Sequence, residues 1–204
     1  MGRRCQGRPR RCQGRIELAN GVETAHGILI RRTLLTDTSL IVHWLTREQG
    51  IVRTAARGAR RPGSVFGGKL DLFYSADIAF VRGRRGDLHA LREVGVTAYR
   101  QGIQASYARV LCAAYFASLI DLVVEKDAPV GGFHDLLRRG LDWLEGHEPT
   151  AAAVRFYEKE VAVELGIHGE TGVAPADAIL EMFHRLPESR GALMRRLGEV
   201  RSEK

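Results

Sequence analysis

Gly63 to Lys69 follows the pattern G-x-x-x-x-G-K, the spacing with which a glycine-rich loop holds the phosphates of a nucleotide. A complete P-loop has Ser or Thr directly after the lysine to bind Mg²⁺, and a helix there whose first amides point at the phosphate. Here Leu70 follows the lysine, and "DLFYSADIAFV" continues in short β-like runs. The motif therefore does not predict nucleotide hydrolysis.

The other reactive side chains show no spacing that serves catalysis. The seven histidines are scattered, and no two of them have the H-x-x-x-H spacing of a zinc-binding helix. The chain has no G-x-S-x-G and no Cys–His arrangement that would activate a nucleophile. Asp37, Thr38 and Ser39 form a turn-prone group between two apolar runs and need no chemical role. The sequence predicts no enzyme activity, no catalytic residue, no metal site and no cofactor.

The most unusual segment is strongly basic. "RTAARGARRPGSVFGGKL", Arg53 to Leu70, holds five cationic side chains, four glycines and one proline, and it contains no acid. A second basic group, "RGRRGD", follows at residues 82–87. Glycines let backbone amides approach an anion, while arginine and lysine supply charge. These segments indicate contact with a polyanion, and the alternative is a solvated loop without a partner.

Charge and composition limit the classes of protein that the 204 residues can form. Residues 1–100 carry 19 Lys and Arg against 8 Asp and Glu, a net charge of +11, whereas residues 101–204 carry 12 against 16, a net charge of −4. This asymmetry predicts two modules, of which the basic one meets the polyanion. No apolar run approaches the ~20 residues that span a bilayer, and no signal-peptide core follows the basic start, so no membrane association and a cytoplasmic location are expected. Three cysteines do not form a disulfide framework, and Cys112 is expected to be a small buried side chain.

Local patterns divide the basic half into a tail and a β-rich segment. Residues 1–22 contain "RRCQGR" twice and are expected to form a disordered basic tail. Residues 23–100 contain five short, β-branched apolar runs separated by turns, one of them "REQG", in which Gly50 suits a positive φ. This spacing leaves no room for crossover helices and predicts a small antiparallel barrel or sandwich.

Residues 101–204 have a helical period and predict an all-α domain. We expect one helix across "QGIQASYARVLCAAYFASLIDLVVEK", a second across "GGFHDLLRRGLDWLEG", and a third from a cap at Pro149–Thr150 to Gly166. Two shorter helices are expected at about Ala176–Leu186 and Glu188–Val200. The aromatic side chains of this half are expected mainly in the core: Tyr115, Phe116, Trp143, Phe156 and Tyr157.

The β-rich segment resembles the start of RecO, the bacterial recombination mediator family. In that family an opening strand leads into an acidic-hydroxyl turn, a strand ending near T-x-x-x-G, and then A-x-G-A-R-x-x-x-S. Here these features fall at 37–39, 46–50 and 56–64, and "DLHALREV" resembles the strand that closes the barrel. The similarity is strong over residues 25–96 and weaker to Gly166. Many members carry a four-cysteine zinc element where this chain has "ELGIHGETGVAPAD", so no zinc site is expected there.

The resemblance implies an α+β architecture, in which an N-terminal five-stranded antiparallel OB-fold barrel at residues 23–100 is followed by an all-α helical domain at residues 101–204. It also implies a DNA repair and recombination mediator that binds single- and double-stranded DNA and anneals complementary strands at the nucleoid. With RecR, such a protein helps to load RecA on gaps coated with single-stranded DNA-binding protein (SSB). The residues expected to contact DNA are basic members of the two segments above: Arg53, Arg57, Arg60, Arg61, Lys69, Arg82, Arg84 and Arg85.

The resemblance further implies that the C-terminal tail of SSB, which ends in acids and an aromatic residue, binds the helical domain. Its basic receptor is expected among Arg109, Arg138 and Arg139. The few aromatic residues of the barrel are expected in its core, which makes base stacking a minor contribution: Trp44, Phe66, Phe73, Tyr74 and Phe80. The alternative is a non-enzymatic protein-interaction module whose basic face binds acidic proteins, and binding of a bare oligonucleotide distinguishes the two.

Overall fold

The computed structural model describes residues 21–84, 86–124, 130–167 and 172–198. Most of the expected basic tail and one DNA-contact candidate, Arg85, lie outside the described residues. The strands are β1 (Val22–Thr36), β2 (Ser39–Thr46), β3 (Gly50–Ala56), β4 (Ser75–Val81) and β5 (Leu88–Ala98). The helices are α1 (Gln101–Gln104), α2 (Tyr107–Val123), α3 (Gly131–Gly146), α4 (Ala151–Glu164), α5 (Pro175–Phe183) and α6 (Ser189–Arg196).

The five strands close into a barrel in the order β1-β2-β3-β5-β4. Four neighbouring pairs are antiparallel, and β3 pairs with β5 in parallel. This is the arrangement of the OB-fold, so the expected barrel is confirmed with one parallel pair in place of a fully antiparallel sheet. The parallel pair is possible because the long segment between β3 and β4 lets the chain cross the end of the barrel. Gly50 has the expected positive φ of 63° in the turn that joins β2 to β3.

Alternate side chains of the strands fill the barrel interior. Trp44 is fully buried there and donates a hydrogen bond from Nε1 to Thr54 Oγ1 at 3.0 Å. The glycine-rich segment from Arg57 to Tyr74 covers one end of this interior, because Phe66 and Leu70 point into it and are each 7% exposed. The expected core positions of the barrel aromatics are thereby confirmed. The basic segment is thus anchored at its second half rather than being a free loop.

The helical half contains one more break than the sequence predicts. The first long helix is two, α1 and α2, because Ser106 adopts an extended backbone with φ −137° and ψ 130°. Its hydroxyl donates to Glu148 at 2.8 Å instead of capping α2. The start of α4 is as expected, since Thr150 Oγ1 accepts the Ala153 amide at 3.2 Å. Gly166 ends that helix with φ 71°.

The barrel and the helices share one hydrophobic cluster. Ile28, Leu45 and Ile51 on the outside of the barrel belong to the same buried cluster as Ile120 and Leu137 of the helices. Burial raises the pKa of the Cys112 thiol in this cluster to about 12, so the thiol stays protonated and acts as an apolar side chain. Because one cluster serves both halves, the helices hold one side of the barrel.

Arg100 fixes the junction between the two halves. It adopts the left-handed backbone conformation with φ 48° and is 5% exposed. Its Nη1 donates to the carbonyl oxygen of Phe73 at 2.7 Å and to Ser75 Oγ at 2.9 Å, while Nε donates to Asp142 on α3 at 2.8 Å. One buried guanidinium therefore bonds the end of the barrel to a helix of the other half.

A second buried ionic group attaches α6 to the bundle. Glu158 on α4 is 1% exposed and accepts hydrogen bonds from Arg190 Nε at 2.6 Å and from the Tyr115 hydroxyl at 2.6 Å. Burial raises the pKa of Tyr115, and the neighbouring Glu158 carboxylate raises it further. None of the described helices is long and apolar enough to cross a membrane.

Candidate nucleic-acid interface

The outer face of β1, β2, β3 and β5 carries a half-exposed row of side chains that crosses the strands. Arg31 pairs with His43, His43 with Arg53, and Arg53 with Leu88, so these four residues lie side by side across the sheet. The next row is formed by small or apolar residues: Thr33, Ile41, Ala55 and Ala90. OB-folds bind oligonucleotides on the face of strands 2 and 3, between the loop that joins strands 1 and 2 and the loop that joins strands 4 and 5. One edge of this face meets the helices, since Arg31 Nη1 donates to Asp121 Oδ2 of α2 at 3.4 Å.

Three of the expected arginines lie where β3 ends, beside the turn between β1 and β2. Arg57 and Arg61 are exposed and form no ion pair with any carboxylate in the described part of the chain. Arg60 is bound in place, because its backbone amide donates to the Thr38 carbonyl at 3.0 Å and its Nη1 to the Asp37 carbonyl at 3.0 Å. A carbonyl does not neutralise a guanidinium, so all three contribute positive charge at this end of the face.

Two more of the expected arginines already have acidic partners. Arg53 Nη1 donates to Asp87 Oδ2 at 2.8 Å, and Arg82 is bonded to Glu23 and contacts Gln49 at 3.4 Å. Their charges are therefore partly compensated within the barrel. Arg84, in the same hairpin between β4 and β5, is exposed and has no ion pair among the described residues. The hairpin therefore contributes less uncompensated positive charge to the face than its sequence suggests.

Lys69 lies apart from the other candidates. It lines a groove of about 630 Å³ between the β3–β4 segment and the outer side of β4 and β5, together with Arg92, Asp77 and Glu93. The groove holds two cations and two acids, and it faces away from the β2–β3 surface. The structure therefore gathers the arginines around one face of the barrel and leaves Lys69 outside that group.

A separate apolar cleft of about 240 Å³ opens between α3 and α4 of the helical domain. Its floor is the ring stack of Phe116 and Tyr157, whose centroids are 3.7 Å apart. Gly140 allows this close approach, since a Cβ there would lie 3.1 Å from a carbon of each ring. Trp143 and Phe156 form the rim and are 37% and 61% exposed, so the expectation that both lie in the core is wrong.

One basic side chain, Arg139, lines this cleft. It is exposed and has no acidic partner among the residues described. The other two basic candidates are occupied, since Arg138 donates to Asp142 at 3.1 Å and Arg109 forms an ion pair with Glu148 at 3.0 Å. The sequence pattern could not distinguish these three, because all occur at helical positions and only the packing of α3 against α4 creates the cleft.

Comparison with known proteins agrees with this architecture. Residues 22–100 match the family described as Recombination protein O N terminal, and residues 104–169 match Recombination protein O C terminal. The chain belongs to the RecO family. A relative named DNA repair protein RecO from Anaeromyxobacter sp. (strain K) is 34% identical over 73% of this chain and 56% of its own length. The protein of the same name from Exiguobacterium sibiricum is 28% identical over 76% of this chain and 59% of its own length.

The matched part of the chain spans a little over half the length of these RecO relatives. The family matches end at residue 169, so α5 and α6 lie outside them. Within the described ranges, no group of three or more His, Cys, Asp or Glu side chains is arranged to hold a metal ion. The family matches thus cover the barrel and the helices α2, α3 and α4, which include the two elements that form the apolar cleft.

Proposed function

We propose that this chain is a non-enzymatic DNA repair mediator that binds single- and double-stranded DNA on the β2–β3 face of its barrel. The observation that carries the proposal is the position of Arg57 and Arg61, exposed and unpaired within the described structure, at the end of an otherwise shallow OB-fold face. When such charges bind a phosphate backbone they release its counterions, which makes the free energy of binding more favourable independently of base sequence. The proposal places the protein at the nucleoid in the cytoplasm.

The mediator activity has three further parts. The chain anneals complementary strands without ATP or added metal, acts with RecR, and favours loading of RecA on gaps coated with SSB. The family membership and the basic barrel support these steps. The proposal assigns the basic N-terminal half, residues 23–100, to DNA and the acidic half, residues 101–204, to protein partners, because a net charge of −4 disfavours contact with phosphates.

Replacement of Arg57 and Arg61 by alanine tests the DNA site. For single strands each neutralised phosphate contributes about −0.7 to the slope of log K against log salt, so loss of two contacts reduces the slope by about 1.4. Fluorescence anisotropy of labelled oligonucleotides at several salt concentrations measures this. Arg57 and Arg61 are better targets than Arg60, whose loss also removes its bond to the Asp37 carbonyl.

The matched control is the double replacement of Arg195 and Arg196 by alanine, because both are exposed arginines at the end of α6 in the helical domain. This control is expected to leave the slope unchanged. If R57A/R61A binds bare oligonucleotides like the unmodified protein, with the same slope and the same melting temperature, the β2–β3 face is not the DNA site. Absence of any oligonucleotide binding would favour the alternative, a module that binds acidic proteins.

The cleft between α3 and α4 is proposed as the receptor for the C-terminal tail of SSB. An aromatic side chain fits the apolar floor of Phe116 and Tyr157, and Arg139 at the rim meets the acids. Calorimetry with the full-length chain and a tail peptide is expected to show binding that R139A weakens about tenfold. R138A serves as control, since Arg138 is on the same helix but bonded to Asp142. Equal losses in both variants would contradict this assignment.

A further inference from the structure

The tip of the hairpin between β1 and β2 exposes two adjacent leucines. Leu34 is 66% exposed and Leu35 is 42% exposed. In a regular strand, neighbouring side chains point to opposite faces, so one of the two would be covered in a closed barrel. Here the register between β1 and β2 shifts from Leu34–Leu40 to Thr36–Ser39, which leaves Leu35 without a partner in a bulge. A bulge of this kind redirects a side chain away from the sheet.

The tip is held in place by the basic segment beside it. Arg60 binds the carbonyls of Asp37 and Thr38, and the Gly58 amide donates to Ser39 Oγ at 3.3 Å. These bonds join the turn to the segment that closes the barrel end. The two leucines are therefore presented on a supported hairpin, which lowers the entropy lost when they bind a partner.

The surroundings of the leucines indicate the chemistry of that partner. Arg57 and Arg61 lie on the adjoining segment without an ion pair in the described part of the chain, and Arg60 adds a third guanidinium. An apolar tip beside three cations complements a ligand that alternates flat apolar groups with anions. An unstacked single strand of nucleic acid is such a ligand, since each base offers an apolar face next to a phosphate.

We propose that Leu34 and Leu35 contact unstacked bases while Arg57 and Arg61 hold the neighbouring phosphates. This inference rests on the proposed function and names the part of the nucleic acid that the barrel end recognises. In a continuous duplex the faces of the bases are stacked, so only the phosphate contacts remain available. On this proposal the leucines give the barrel a preference for single strands over duplex.

The test compares two probes with the same number of phosphates, an oligothymidylate and an abasic oligomer of equal length. The unmodified protein is expected to bind the oligothymidylate about tenfold more tightly. L34S/L35S is expected to bind both probes with the affinity that the unmodified protein has for the abasic one, because only the base contacts are lost. The control L180S/M182S removes two comparably exposed apolar side chains from α5 and is expected to change neither affinity.

The outcomes separate this inference from the proposed DNA binding. If the unmodified protein binds both probes equally, or L34S/L35S weakens both equally, DNA binding stands and base contact by the leucines is wrong. If the unmodified protein binds neither probe, the proposed function fails as well. L35F tests the proposal by a gain of affinity rather than by a loss. Its larger apolar side chain is expected to tighten binding of the oligothymidylate alone, with an unchanged melting temperature.

Discussion

His134 is a buried histidine at the contact between α3 and the barrel. It is 4% exposed, its Nδ1 lies 3.5 Å from Asp135 Oδ1, and its ring meets that of His26 on β1 edge-on, with centroids 6.1 Å apart. Burial lowers the pKa of His134, with smaller lowering contributions from His26 and Arg47 that oppose the raising effect of Asp135. The neutral ring is therefore the form that the folded protein accommodates.

Acidification is expected to destabilise the protein through this residue. The pKa of His134 is lower in the folded state than in the unfolded state, so below about pH 6.5 the unfolded chain binds the proton first. The free energy of unfolding then falls by up to about 1.4 kcal/mol per pH unit, until the folded state also takes up the proton. H134L is expected to flatten this dependence in urea titrations between about pH 5 and 7.5.

H184N provides the control for that experiment. His184 is exposed and has a left-handed backbone with φ 57°, a conformation that asparagine tolerates. This variant is expected to keep the pH dependence of the unmodified protein. Identical slopes in H134L and the unmodified protein would show that other groups cause the loss of stability in acid.

At the level of single elements, α6 is attached to the bundle by its buried side chains Leu193 and Met194 and by one ionic contact. Arg190 is its link to the buried carboxylate of Glu158, and that link also raises the pKa of the Arg190 guanidinium. R190M leaves the buried Glu158 carboxylate with the Tyr115 hydroxyl as its one remaining hydrogen-bond donor among the described residues, and it is expected to cost about 3 kcal/mol in the free energy of unfolding. R195M changes an exposed arginine of the same helix and is expected to cost less than ~0.5 kcal/mol. Denaturant titration of both variants measures the difference, and equal costs would refute a structural role for the buried pair.

The strands could be predicted from the sequence because their signals are local. Val, Ile and Leu occur at short regular intervals between turn residues such as Gly50, and those intervals alone define the barrel strands. The break before α2 could not be predicted in this way. Ser106 leaves the helix to bond Glu148, a residue 42 positions later, and no local pattern reports such a contact.

The candidate site was predictable in type but not in detail. The sequence identifies the basic segments, yet it does not show that Arg53 meets Asp87, that Arg60 binds the β1–β2 turn, or that Lys69 lies on another side of the barrel. These differences depend on contacts between distant residues. The exposure of Leu34 and Leu35 could not be predicted from the sequence either, since two adjacent leucines in a β-branched run indicate at least one core position.

At the scale of the whole molecule, the barrel and the helices are expected to unfold together. The hydrophobic cluster they share and the bonds of Arg100 connect them, so neither half loses its structure without exposing apolar surface of the other. The chain has two tryptophans, Trp44 in the barrel and Trp143 at the edge of the helical cleft. In W143F, fluorescence reports the barrel and circular dichroism at the helical band reports the helices. Coincident midpoints are expected, and separate midpoints would mean that the two halves are independent domains.

The apolar outer surface of the barrel also determines which truncated or recombinant forms of this chain can fold. A barrel that ends after Tyr99 would expose Ile28, Leu45 and Ile51 to water. Such an exposed apolar surface favours aggregation, so the barrel would not work as a separate DNA-binding module. A helical half from a distant relative would have to bring its own matching surface and an acid in place of Asp142. Recombination within the gene therefore succeeds most readily when both halves are inherited together, whereas exposed arginines such as Arg57 and Arg61, which form no ion pair within the described structure, can change without disturbing that contact.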